Sequence, residues 1–389
     1  MHNNPFSFAK NKISTNSQYI RHQTQRKQYW KRFFSNKINI VWFSLFVLLV
    51  ITLIISSFFI KNSPTKSIDS STNLVNNLPS YLNETIRRDL NRGEELEFIR
   101  NIAQIEVINA LKEHRNPIFY IIFDSAKHLG GDQTIHTDIV TLVYNPYKLI
   151  EAINHINLSS KIIIPNGLYL GTNNYGIDIF ARSISSIWIT ITVIIAAIII
   201  NIFIGFNLAL LNNFYTNNIF VKFIDKLVNS ISVIPEIIWV FLLSIFIGTE
   251  WYSLFISLSL VCWISYYNFA KEEIKILLTK EFIIATMAIG TSKIRLAYVH
   301  IFKNLLPNFF ILLVERFSIN ILIASSLAFL DFINETNNLN IGSILKEAIG
   351  LAPNNPSYLI IVSIYIIAFS LTLKLLSSSL SNSFNPKIN

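Results

Sequence analysis

Six apolar runs, at 38–60, 184–211, 227–248, 252–270, 309–330 and 358–375, each approach or exceed the roughly 20 residues that a helix needs to cross a bilayer. Nothing else in the sequence narrows the fold as much. The chain has 389 residues, 52% hydrophobic and only 14% charged, a balance too apolar for a soluble domain of this size. The expected fold class is therefore an all-α polytopic membrane protein with six transmembrane helices. The first run is expected to be kept as a span: 37 residues precede it, its core is too long for a signal peptide, and no small-x-small cleavage site follows Ile60.

The net charge of +9 raises the question of nucleic acid, and the position of the bases answers it. They flank the spans. Lys10, Lys12, Arg21, Arg26, Lys27, Lys31, Arg32 and Lys37 precede the first run with no acid among them, which by the positive-inside bias predicts a cytoplasmic N-terminus. Six spans return the C-terminus to the same side, together with Lys222, Lys226 and the bases of 271–303. The short loop at 331–357 carries one lysine against three acids, as expected of the opposite side. Anionic lipid accounts for these charges, and no nucleic-acid partner is expected.

Between the first two runs, residues 61–183 are expected outside the cytoplasm. Their polar start, 61–77, reads as a linker. Leu96, Ile99, Ala103, Val107 and Ala110 then recur at helical spacing. Runs rich in β-branched and aromatic residues follow at 117–123 and 138–144, and Asn145 can cap a helix with Pro146 at its first position. A small extracytoplasmic α/β insertion is predicted. His114, His128, His136 and His155 match no metal-ligand spacing and read as ordinary histidines, and the lone Cys262 lies within the fourth run.

No G-x-x-x-x-G-K-[ST] loop occurs, so no phosphate cradle of that kind is present, and no G-x-S-x-G or H-E-x-x-H motif suggests a catalytic centre. The chain reads as non-enzymatic. Few ionisable residues sit at membrane depth: Glu236 after Pro235, and Glu315 with Arg316. A charge at the bilayer centre costs about 2.5–3.5 kcal/mol on insertion scales, so these should face protein or water. Glu315 and Arg316 are adjacent and cannot face one partner, which leaves Glu236 free to pair with Arg316, either as a structural pair or along a translocation path.

The segment 271–305 has six Lys/Arg and three Glu, yet it also has helical spacing at Ile274, Leu277, Leu278 and Phe282. A helix is expected to leave the fourth span and run along the membrane surface until Gly290 breaks it. Ser292 can cap a second helix returning toward the bilayer before Pro307. Such an elbow, with small residues at its bend, lets another protein's backbone approach closely. Charge and periodicity alone favour an inert amphipathic segment on anionic lipid over such a docking surface.

The order of residues adds to this. KEFIIATMAIGTSKIRLAYVHIFKN resembles the cytoplasmic E-A-A-x-x-x-G loop of permease subunits from binding-protein-dependent ABC importers. Ala285, Gly290, His300, Ile301 and Asn304 match, whereas Ile284, Thr286 and Lys303 replace the family glutamate, second alanine and proline. LGTNNYGIDIFARSI at 170–184 is similar to a segment of the dipeptide/oligopeptide subgroup, second-permease type. Gly171, Thr172, Asn174, Gly176, Asp178 and Arg182 keep its order, while Asn173 and Ile177 depart from it. The third span with its proline and the SFNPKIN ending are also similar. The resemblance covers 165–389 well, 30–60 loosely, and little of the insertion.

This resemblance implies a permease that forms half of a translocation pathway and is driven through a coupling loop, with Glu281 at its start. The implied partners are a second permease, two ABC ATPases that bind the ATP, an extracellular solute-binding protein, a peptide substrate and membrane lipid. No cofactor is implied in this chain. The implied divisions are a basic segment 1–37, a span 38–60, the insertion 61–183, a permease domain 184–376 carrying the loop 271–305, and a tail 377–389, all at the cell membrane. The segment 170–184 on this reading is a structural bend at the outer mouth, and without the resemblance it is only a turn. The rival reading is a membrane scaffold whose insertion binds a partner.

Overall fold

The computed structural model describes residues 25–69, 73–80, 84–128, 139–156, 161–165, 167–248, 250–327 and 339–384. The expectations for residues 1–24, for His136 and for the SFNPKIN ending beyond Phe384 lie outside this set. Helix α1 (Gln25–Ser35) leads into α2 (Lys37–Phe58), whose N-terminus is capped by the Asn36 side chain accepting from the Ile38 N–H.

The insertion begins with β1 (Ile86–Asn91), followed by α3 (Glu94–Lys112), β2 (Ile121–Asp124), a single turn α4 (Ser125–His128), β3 (Ile139–Tyr144) and α5 (Pro146–Ile156). The three strands form an antiparallel sheet in the order β1-β3-β2. Asn145 caps α5 by accepting from the Tyr147 and Lys148 N–H groups at 3.0 and 3.2 Å, with Pro146 at the first helical position. On α3 the buried face is Leu96, Ile99, Ile102, Glu106 and Ala110. Val107, expected inside, is 42% exposed. The fully buried Glu106 takes its place: Arg115 and the Ile118 N–H both donate to its Oε1, at 2.5 and 3.0 Å, while its Oε2 is buried with no hydrogen-bond partner among the described residues.

Among the described residues, five helices are long and apolar enough to cross a membrane. After α2 comes α6 (Ile179–Phe214), whose 36 residues span about 54 Å at 1.5 Å per residue. Next are α7 (Ile219–Ile231) and α8 (Glu236–Ile247). α9 (Trp251–Val261) and α10 (Trp263–Leu278) form one span interrupted at Cys262. The short α11 (Glu281–Ala288) precedes α12 (Lys293–Arg295), which passes through a π-helical turn at Leu296–Ile301 into α13 (Phe302–Ser326). α14 (Ile341–Leu351) and α15 (Pro356–Phe384) close the bundle. Its core joins Ile194, Ala197 and Ile198 of α6 to Tyr266 and Tyr267 of α10, Phe317 of α13 and Phe369 of α15.

Four expectations need correction. The third run, 227–248, is not one helix: α7 and α8 meet at 94° across residues 232–235, so a count of six requires taking that bent pair as one span. Pro235 lacks an N–H and disfavours a helical conformation at Ile234, which explains the break. The fourth span ends at Leu278, not beyond Phe282, because Thr279 and an extended Lys280 separate it from α11. Pro307 lies inside α13 and does not end the returning helix. In 331–357 the described part contains α14, opened by a reciprocal capping box between Asn340 and Ser343.

Candidate coupling and transport site

Two groups of sequence-flagged residues lie at opposite ends of α6, and a third lies between them. At the C-terminal end, α11 stops in a Schellman motif: the Gly290 N–H donates to Met287 O at 2.9 Å and the Thr291 N–H to Thr286 O at 3.4 Å. Gly290 has φ +84°, the left-handed region where a side chain is strained, and nothing lies within 4 Å of where its Cβ would be. The glycine is therefore needed for the turn, not for packing.

Only one residue of α11 is buried: Ile283 is fully enclosed with Ile274, Leu296, Ala297 and Ile301. Glu281, Phe282, Ala285 and Met287 are exposed and Thr286 is half-buried, its hydroxyl donating back to Phe282 O. Ile284, at the family glutamate position, is 50% exposed, and Ile289 and Ile294 on either side of the bend reach 85% and 75%. The elbow thus presents an apolar face rooted by a single side chain. Its far arm is braced on α6: Lys293 Nζ sits 4.3 Å above the Tyr215 ring, and the Tyr298 hydroxyl donates to Asn207. Asn304 Nδ2 donates to His300 O at 2.8 Å, so the Asn304 side chain serves the helix itself.

At the N-terminal end of α6, Asp178 is the cap. Its Oδ1 accepts from the Phe180 and Ala181 N–H groups, and Asn62 donates to its Oδ2 at 2.8 Å. Desolvation pushes the Asp178 carboxyl above its ordinary range, against those three hydrogen bonds. Thr172 pairs with the backbone at Leu78 in both directions, and its hydroxyl donates to Val75 O. Gly171 has φ +77°, and a Cβ there would lie 2.1 Å from Leu78 O. Asn173 accepts from the N–H groups of Tyr175 and Ile177, which makes the turn, while Gly176 accepts from the Ile68 N–H; Asn174 is exposed. The expected linker is therefore docked on this latch wherever it is described. Arg182 is fully buried, donating to Glu347 of α14 at 2.8 Å and to Pro64 O at 3.3 Å. Glu347 is the residue that sequence reading missed, since its loop was not expected to form a helix.

The third group sits in the middle of the bundle. Arg316 Nη1 reaches both carboxylate oxygens of Glu236 at 3.2 Å, and the Ser265 hydroxyl also donates to Glu236. A cavity of about 280 Å3 opens beside them in the angle between α7 and α8, where Trp239 Nε1 donates to Ile231 O at 3.3 Å. Glu315 points elsewhere and is exposed on α13. Among the described residues no three His, Cys, Asp or Glu side chains come together as a metal site.

No family model matches the chain. Over 224 residues it is 21% identical to the dipeptide transport system permease protein DppC of Lactococcus lactis subsp. cremoris (strain MG1363), covering 56% of this chain and 63% of that protein. The chain thus spans less than two thirds of the relative's length. This similarity is to a peptide-transport permease. Together with the five apolar helices, it supports a multi-pass membrane protein.

Proposed function

We propose that the chain is the second-type permease subunit of an ATP-driven ABC importer for dipeptides or oligopeptides. It forms half of the translocation pathway and is itself non-catalytic. Its partners are a homologous permease, two ATPase subunits that bind the ATP, an extracellular solute-binding protein and the surrounding lipid. The assembly lies in the cell membrane with both termini and the elbow on the cytoplasmic side and the insertion outside.

The observation that carries this reading is the elbow. Its apolar residues are exposed on both sides of a fixed bend while its root is buried in the bundle, the arrangement expected of a surface that transmits force from another protein. The missing family glutamate is compatible with it, since Ile283, not a polar contact from position 284, holds α11 to the bundle. Expression with the neighbouring transporter genes and purification through this chain tests the reading. A stoichiometric ATPase and peptide uptake are expected; uptake with no co-purifying ATPase, or none at all, refutes it.

A further inference from the structure

The cavity between α7 and α8 is lined by Pro235, Glu236, Trp239, Ser265, Asn268 and Arg316 among others. Its volume of about 280 Å3 is near the lower end of the roughly 300–1,000 Å3 typical of small-molecule pockets. Arg316 uses its guanidinium incompletely. Both of its hydrogen bonds leave from Nη1, at 3.2 Å, longer than the roughly 2.7–2.9 Å of a tight charge-assisted pair. Its Nε is buried with no hydrogen-bond partner among the described residues. Nε and Nη2 together form an edge that can grip a carboxylate with two parallel bonds, and Glu236 leaves that edge open. Glu236, by contrast, already holds Ser265 and Nη1. The Arg316 side chain keeps 22% exposure, so a modest turn of the guanidinium presents its open edge to the cavity.

We infer that this cavity is a carboxylate subsite on the transport path. Arg316 takes the C-terminal carboxylate of a passing peptide on its Nε–Nη2 edge while Glu236 remains on Nη1. This rests on the peptide-permease reading above and deepens it. A second carboxylate beside Glu236 leaves an unbalanced charge at membrane depth, which a zwitterionic peptide cancels with its own ammonium group. The bend at 232–235 is what opens the space: a straight helix through Pro235 would carry Glu236 without the hollow beside it.

The test uses the whole transporter in proteoliposomes, with loaded binding protein at saturation so that its own affinity drops out. Uptake of a dipeptide is compared with uptake of its C-terminal amide. The wild type is expected to move the free acid about tenfold faster, the ratio of about one well-made charged hydrogen bond. Glu236→Gln with Arg316→Met removes both charges together, so neither is left buried alone; the ratio is expected to fall to about one while ATPase co-purification persists. Arg316→Lys keeps the charge and the fold but not the fork, and its ratio is expected to fall at least about threefold. Equal wild-type rates for acid and amide, or an unchanged ratio in the lysine variant, overturn the subsite and leave the permease reading standing. No uptake of either peptide refutes the permease reading, and the subsite with it.

Discussion

Replacing Gly290 separates the shape of the elbow from its presence. With φ at +84° and open space around the Cβ position, Gly290→Ala meets no clash and bears only the left-handed strain, about 1–2 kcal/mol. Gly290→Pro is different in kind. Its ring fixes φ near −65°, it has no N–H to give Met287 O, and the Thr291 to Thr286 bond cannot survive the altered path. Two bonds at about 0.5–1.5 kcal/mol each are lost on top of the conformational change. None of these residues is buried, so the bundle is expected to stay intact while the angle between α11 and α12 is lost. Paired assays of ATP hydrolysis and peptide uptake in proteoliposomes read the result: near-normal uptake per ATP for alanine, and hydrolysis with little or no uptake for proline. Normal coupled uptake in the proline variant refutes the argument that the fixed bend transmits the motion.

Three further outcomes follow from the geometry. Gly171→Ala places a methyl 2.1 Å from Leu78 O in a left-handed turn, and a loss of about 2–4 kcal/mol is expected as a lower melting temperature of the purified chain. Burial pushes the Glu106 carboxyl up, but the Arg115 hydrogen bond, the Ile118 N–H and the Arg115 and His155 charges outweigh it and hold the group below its ordinary range. A lowered folded value means the stabilisation is complete above about pH 4.3 and lost as pH falls further, so proteolysis of the insertion by an acid-active protease should rise steeply in acid and less so in Glu106→Gln. Ile289→Glu, at an 85% exposed site, should leave the melting temperature unchanged and abolish ATPase co-purification; retained co-purification means this residue does not touch the motor.

The apolar runs were legible because span length is set by the bilayer, and five of the six appear as long helices. The insertion helix was legible in period but not in full: the apolar spacing does not include Glu106, whose burial depends on Arg115, nine positions on. Strand β1, with Arg87, Arg88 and Asp89 at its centre, carries no strand signal and exists because β3 offers it an edge. The bend at Pro235 was visible as a proline, but hydropathy outweighed it. Glu236 and Arg316 could be matched because both are expensive where they stand and few other charges were available. Arg182 and Glu347 could not, since 165 residues separate them and nothing local marks the second.

Crosslinking tests the central claim most directly. The sole native cysteine, Cys262, is buried, so single cysteines placed at Glu281, Ile289 and Ile294 provide the reactive positions. During active uptake the account predicts crosslinks from these positions to the nucleotide-hydrolysing subunit, with a yield that changes between ATP-bound and ATP-free states. Crosslinks to lipid alone in every state, while peptide continues to be imported, would contradict it.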